Sequence, residues 1–169
     1  MRCIPFFSTL IGIQHNKKMV AGVMHFPALE ETYYGSLSEG AYWDTPQERG
    51  RKIQVSSTQS VMSSSFVSTS VDYFRQSGRL NLFNRLSSTS GCTLSYPDAY
   101  AFALVASGRA DYVVEPGVKA WDIAAAKPII EAAGGIFCDF TGKDSIYTGS
   151  AVASNRFLHS EILRTIQEF

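Results

Sequence analysis

Three acidic residues stand where a carboxylate is otherwise awkward: Asp98 just before an apolar run, Glu115 at the end of Tyr112-Val113-Val114, and Asp122 beside Trp121 at the start of another apolar segment. Glu115, the Pro116-Gly117 pair, Trp121-Asp122 and Gly134-Gly135 fall within one strand, loop and helix unit. Sites in α/β proteins gather where strand ends meet helix starts. A carboxylate at such a helix start can hold a hard divalent cation next to a phosphate, because the ion takes oxygen ligands and the free N–H groups favour anions. A single carboxylate does not hold Mg²⁺ firmly in water; a second one and the substrate's own phosphate are usually needed. Asp98 and Asp122 would serve equally as helix caps or first-turn residues, and Glu115 beside Pro116 as a solvated loop residue. Spacing alone leaves both readings open.

Other chemistries find less support. Cys3, Cys92 and Cys138 are an odd number with long separations, so neither a disulfide framework nor a Cys-x-x-Cys site can be read from them. That usage fits a reducing, cytoplasmic setting. His15, His25 and His159 are equally scattered, and no pair has the helical spacing that places two imidazoles on one zinc ion. Fifteen Lys and Arg balance fifteen Asp and Glu, which removes the electrostatic footprint of a protein that coats nucleic acid or an anionic membrane. The expected partner is a small molecule.

With 169 residues, 45% apolar and 18% charged, the chain has the composition of an ordinary globular protein and can build a core without disulfides or a structural metal. Apolar Phe6 to Ile13 is read as a buried strand rather than a signal peptide, since Pro5 comes early and no small-x-small cleavage site follows. A polar turn at His15 to Lys18, a strand at Met19 to Met24, an interruption at Pro27 and a strand at Glu31 to Tyr34 extend this into an antiparallel meander, with turns at Gly35 and Gly40. Residues 1–50 form that sheet lobe and residues 51–169 an α/β lobe. Ser56 to Ser70, with eight serines and two threonines, has a linker's composition, yet Val61, Met62, Phe66 and Val67 supply anchors for a short helix and a strand.

Short helices are expected around Phe74 and over Leu80 to Leu86. Asp98 to Ser107 reads as a buried helix closing at Gly108. A helix from Trp121 to Gly134-Gly135 is expected to be kinked or delayed by Pro128. Strands at Ile136 to Phe140 and Ala151 to Ala153 precede a last helix capped by Asn155, with Leu158, Ile162, Leu163 and Ile166 on one face. Strands first, then alternating helices and strands, argue for a mixed α/β or α+β layered fold.

At this point the run Trp121-Asp122-Ile123-Ala124-Ala125-Ala126-Lys127-Pro128-Ile129-Ile130-Glu131-Ala132-Ala133-Gly134-Gly135 resembles the C-terminal signature of the inositol monophosphatase family. Ala106 to Asp111, the Phe6 to Ile13 strand, Gly22-Val23 with Pro27 and Glu31, and Ala153-Ser154-Asn155 agree with it, so the resemblance spans most of the chain. A match so spread argues against the remaining reading, ordinary helix punctuation in an unrelated fold. The resemblance implies a layered αβαβα sandwich of the inositol monophosphatase / fructose-1,6-bisphosphatase type and Mg²⁺-dependent hydrolysis of a phosphomonoester. Tyr96-Pro97-Asp98-Ala99-Tyr100 and Val114-Glu115 with Lys119-Ala120-Trp121-Asp122 are most similar to the histidinol-phosphate phosphatase branch. Histidinol carries an ammonium and an imidazole where inositol has only hydroxyls, and two carboxylates would favour the cation.

Carried over residue by residue, the resemblance makes Asp122 a metal ligand, Glu115 a contact to the non-phosphate part of the substrate, and Asp98 a further substrate contact. It assigns no catalytic residue within these 169 positions. Family members carry an Asp-Pro-Ile-Asp-Gly-Thr-type motif and a Glu-Glu motif before the strand matched by Phe6 to Ile13. Without those ligands and the leading helices, the chain is expected to be an inactive fragment on its own, to expose apolar sheet faces, and to self-associate, as members of this dimer-forming family do. The alternatives are an inositol-1-monophosphatase-like enzyme and a non-catalytic remnant or partner subunit.

Overall fold

The computed structural model describes residues 5–95 and 98–169. Cys3, with the rest of 1–4, and the Tyr96-Pro97 part of the run before Tyr100 lie outside the described residues. The chain opens with an antiparallel sheet of β1 (Thr9–His15), β2 (Lys18–Phe26), β3 (Glu31–Ser36), β4 (Gly40–Asp44) and β5 (Arg51–Lys52), in sequence order. Asn16 and Lys17, both at positive φ, make the two-residue turn between β1 and β2. Pro27–Leu29 forms a 3₁₀ turn between β2 and β3.

The second sheet has the order β7-β6-β8-β10-β9. Its strands are β6 (Ser65–Ser68), β7 (Cys92–Ser95), β8 (Tyr112–Pro116), β9 (Ile136–Cys138) and β10 (Ser150–Ser154). Strands β7, β6 and β8 run parallel, so their carboxyl ends lie side by side; β10 is antiparallel to both β8 and β9. The helices are α1 (Val71–Gln76), α2 (Leu80–Thr89), α3 (Tyr100–Ala106), α4 (Ala120–Ile123), α5 (Ala126–Ala132) and α6 (His159–Gln167).

The side-chain alternation along β8 fixes the layers. Val113 joins a core shared with Met24, Phe26 and Tyr33 of the first sheet and with α3 and α5, while Tyr112 and Val114 face the opposite way, into a second core with Phe74, Leu82, Leu86 and Ile162. Helices α3 and α5 therefore lie between the two sheets, and α1, α2 and α6 cover the far face of the second. Gly22 makes this layering possible. A Cβ built there would sit 2.1 Å from the carbonyl oxygen of Ala125, so only glycine lets β2 approach the start of α5.

Several local expectations change. The first strand forms, but over Thr9–His15, two to three residues later than Phe6 to Ile13, and not buried: Leu10 alone reaches toward the core, while Ile11 and Ile13 are 53% and 55% exposed on an edge strand. Gly35 is not a turn; it pairs with Gly22 and Ala41 inside β3. The long helix after Trp121 is two helices that break at Ala124-Ala125. Pro128 falls in the first turn of α5, where its missing N–H costs nothing, so of the two expected effects it is the delay of the regular helix, not a kink within it, that the structure has. Strand β7, Cys92-Thr93-Leu94-Ser95, is too short for its alternation to mark it, and it forms because β6 offers it a parallel partner.

The serine-rich stretch is ordered. Asp111 accepts hydrogen bonds from the Ser56 hydroxyl at 2.5 Å and the Ser65 backbone N–H at 2.6 Å, and the Asn155 amide donates to Ser56 and to the Thr58 carbonyl. Asn155 does cap backbone, but one turn before α6: its Oδ1 accepts from the N–H groups of Phe157 and Leu158.

Candidate functional site

The site is built at the carboxyl ends of the parallel strands, the usual place for ligands in open α/β sheets. Registry between β6 and β8 places Val67 opposite Val113, so Thr69, just past the end of β6, arrives beside Glu115. The Thr69 backbone N–H donates to Glu115 Oε1. Glu115 follows Val113 by two positions and faces the same side of the sheet, toward the layer between the sheets. It is not a solvated loop residue: the side chain is fully buried, and its second oxygen, Oε2, has no hydrogen-bond partner among the described residues. Burial, opposed by the hydrogen bond from Thr69 and reinforced by the charge of Asp98, pushes the Glu115 carboxyl up to about 8.

Asp98 enters after β7. It is exposed, and its φ of +59° takes it out of capping geometry, so the helix-cap reading fails there. An aspartate tolerates that left-handed conformation better than most side chains. Asp122 keeps a local role. Its Oδ2 accepts the Lys119 backbone N–H at 2.8 Å, holding the first turn of α4. The connection from β8 to α4 is fastened at Gly117, whose φ of +90° turns the chain so that its N–H and that of Val118 both donate to the Gly149 carbonyl.

Asp98, Glu115 and Asp122 line one cleft of about 400 Å³. The spacing in sequence pointed to these three, and the fold brings them together. Thr69, Tyr73, Phe7 and Phe102 share the cleft and were not singled out. A signal for Thr69 existed in the end of the apolar stretch Phe66-Val67, but only the parallel pairing with β8 shows that this end faces Glu115.

Among the described residues, no three His, Cys, Asp or Glu side chains gather as a metal cage. Asp122 is a single carboxylate with one oxygen already engaged, so this donor set does not fit a Mg²⁺ ion without further ligands. No step of phosphate transfer follows from these residues by themselves.

The two sheets and the helical layer between them define a layered α/β protein with an acidic cleft at its parallel strand ends. The model of the inositol monophosphatase family matches residues 1–169, and the chain belongs to that family. It is 30% identical to a histidinol-phosphatase of Streptomyces coelicolor and 31% identical to that of Mycobacterium tuberculosis, in both cases over 96% of this chain. It spans 63% of the length of each of these relatives. Among solved structures, the inositol monophosphatase of Thermotoga maritima superposes with a TM-score of 0.85 at 29% identity, over 98% of this chain and 62% of that one. The layered α/β architecture expected from the sequence is the one observed.

Proposed function

We propose that these residues form the substrate-recognition wall and contribute one metal ligand, Asp122, of a Mg²⁺-dependent phosphomonoester hydrolase, and that its substrate is histidinol phosphate. The observation that carries this reading is Glu115: a fully buried carboxyl with an unpartnered oxygen, next to Asp98 in an acidic cleft. An orphaned buried oxygen is costly unless a donor reaches it, and an ammonium or a protonated imidazole supplies both the donor and the compensating charge. Similarity to two histidinol-phosphatases supports the same choice.

In this reading Glu115 and Asp98 hold the cationic end of the substrate and orient the ester toward Asp122. A bound Mg²⁺ would supply neutralisation of the phosphate and activation of water. Its remaining carboxylate ligands have to come from outside the described residues. A second reading, an inositol phosphate as substrate, is supported by 29% identity to an inositol-1-monophosphatase of Mesorhizobium japonicum.

Calorimetric titration with histidinol and with myo-inositol separates the two. Histidinol is expected to bind and inositol to bind at least tenfold more weakly; equal affinities would remove the case for a cationic substrate.

A further inference from the structure

We propose that Tyr73 is a specificity-determining residue, forming an aromatic wall that stacks on a planar cationic ring of the substrate. The proposal rests on the reading of the cleft as a cation-binding site. It begins with the division of labour in α1. Phe74 does the packing: it is fully buried and makes edge contacts with Phe66 and Phe83, with ring centroids 6.4 Å and 5.3 Å away. Tyr73, its neighbour, lies elsewhere on the short helix, is 42% exposed, and lines the cleft that also holds Glu115, Asp98 and Thr69. Core packing therefore leaves the position of its ring unexplained.

Asp98 and Asp122 make the cleft acidic and Glu115 adds a carboxyl that a bound cation can ionise, but charge by itself does not distinguish a flat heteroaromatic cation from an aliphatic ammonium. A ring face does. A cation placed over a tyrosine ring is attracted by the negative face of the π system, and a planar cation also stacks on it. An acidic floor with the Tyr73 ring beside it, in a cleft that Phe7 and Phe102 also line, thus selects phosphate esters whose other end is a planar, protonatable ring. The α1 position gives this wall a firm base, because the Ser70 hydroxyl accepts the Asp72 N–H at the start of the helix and Phe74 anchors the same turn in the core.

The test compares affinities for histidinol and for leucinol, an amino alcohol of similar size with an ammonium but no ring, together with myo-inositol. The wild-type chain is expected to prefer histidinol over leucinol. Tyr73→Ala should reduce that preference about fivefold, of the order that cation–π attraction supplies, with leucinol affinity and the melting temperature unchanged. Tyr73→Phe should restore it. A Tyr73→Ala variant that keeps the preference overturns the proposal, as does a Tyr73→Phe variant that loses it, since a hydroxyl contact would then be the cause. If the wild type binds histidinol no better than myo-inositol, the cation-site reading itself fails, and that result is distinct from the other two.

Discussion

The backbone N–H of Thr69 is bonded to the buried carboxyl of Glu115, and this one contact joins the ends of β6 and β8 at the floor of the cleft. It satisfies one oxygen of Glu115 and leaves the other without a hydrogen-bond partner among the described residues. The carboxyl is thereby fixed in place before any ligand arrives, a preorganisation that lowers the cost of binding.

That burial makes stability depend on pH. Glu115 is raised to about 8 in the folded protein and returns to 4.5 when unfolded, so between those values the folded state holds a proton that the unfolded state has released. Stability should therefore fall as pH rises from about 5 to about 8, by a few kcal/mol, since a tenfold change in an ionisation constant is worth about 1.4 kcal/mol. Glu115→Gln should flatten that limb and be the more stable protein at pH 8 in urea unfolding. On the acid side the opposite limb belongs to His159, which burial holds below its ordinary value while Ser154 and Cys138 contact its two ring nitrogens; its contribution is lost as pH falls below about 6.5. An unchanged slope between pH 5 and 8 in the glutamine variant would show that Glu115 is already ionised in the fold.

Asp98 is exposed at the rim of the cleft, so its removal should leave the melting temperature in place while weakening the cationic end of the site. Asp98→Ala is expected to reduce affinity for histidinol about threefold to tenfold, the range of a charge-assisted contact at a partly solvated position. Affinity for an uncharged phosphate ester should change little. Equal losses for both ligands would take Asp98 out of substrate recognition.

Arg109 links the two sheets through the turn before β8. Its guanidinium lies 4.5 Å from the Trp43 ring centroid, faces the rings of Tyr33 and Tyr100, donates to the Tyr33 hydroxyl, and is 3.8 Å from Glu31. Arg109→Leu should cost about 1–3 kcal/mol, chiefly from the stacked contacts, because the ion pair is partly solvated. Arg109→Lys should recover little of this, as an ammonium lacks the planar face a guanidinium offers to the Trp43 ring. Thermal unfolding of the two variants side by side decides it; a lysine variant as stable as the wild type would reduce Arg109 to a simple charge.

Ile11 and Ile13 stand on the outer face of an edge strand, adjoining an apolar hollow lined by Ala21, Val23, Tyr34 and Tyr42. Exposed apolar faces and free strand edges promote association. Sedimentation velocity of these 169 residues should show mass growing with concentration, and Ile11→Lys with Ile13→Lys should shift the distribution toward the monomer. A monomer at all concentrations in the parent chain would show that this face is inert.

Much of the architecture was legible because periodicity and punctuation reflect burial directly. The meander from β1 to β4, the all-round apolar α3 and the one-faced α6 follow from where apolar residues recur and where turn residues interrupt them. Pro128 signalled that the regular helix is delayed, but the place of the break between α4 and α5 was not legible, because the sequence marks it only with alanines, where β2 approaches through Gly22. Strand β7 was hidden for a related reason: a four-residue strand at a sheet edge is specified by its partner, not by its own pattern. Similarly, Asp98, Glu115 and Asp122 were identifiable as candidates from residue type and position. Their convergence in one cleft, the burial that raises Glu115, and the place of Tyr73 beside it depend on parallel pairing between segments far apart in the chain. Local sequence determines which residues prefer a helix, a strand or a turn; which side chains lose water together is decided only when those elements pack.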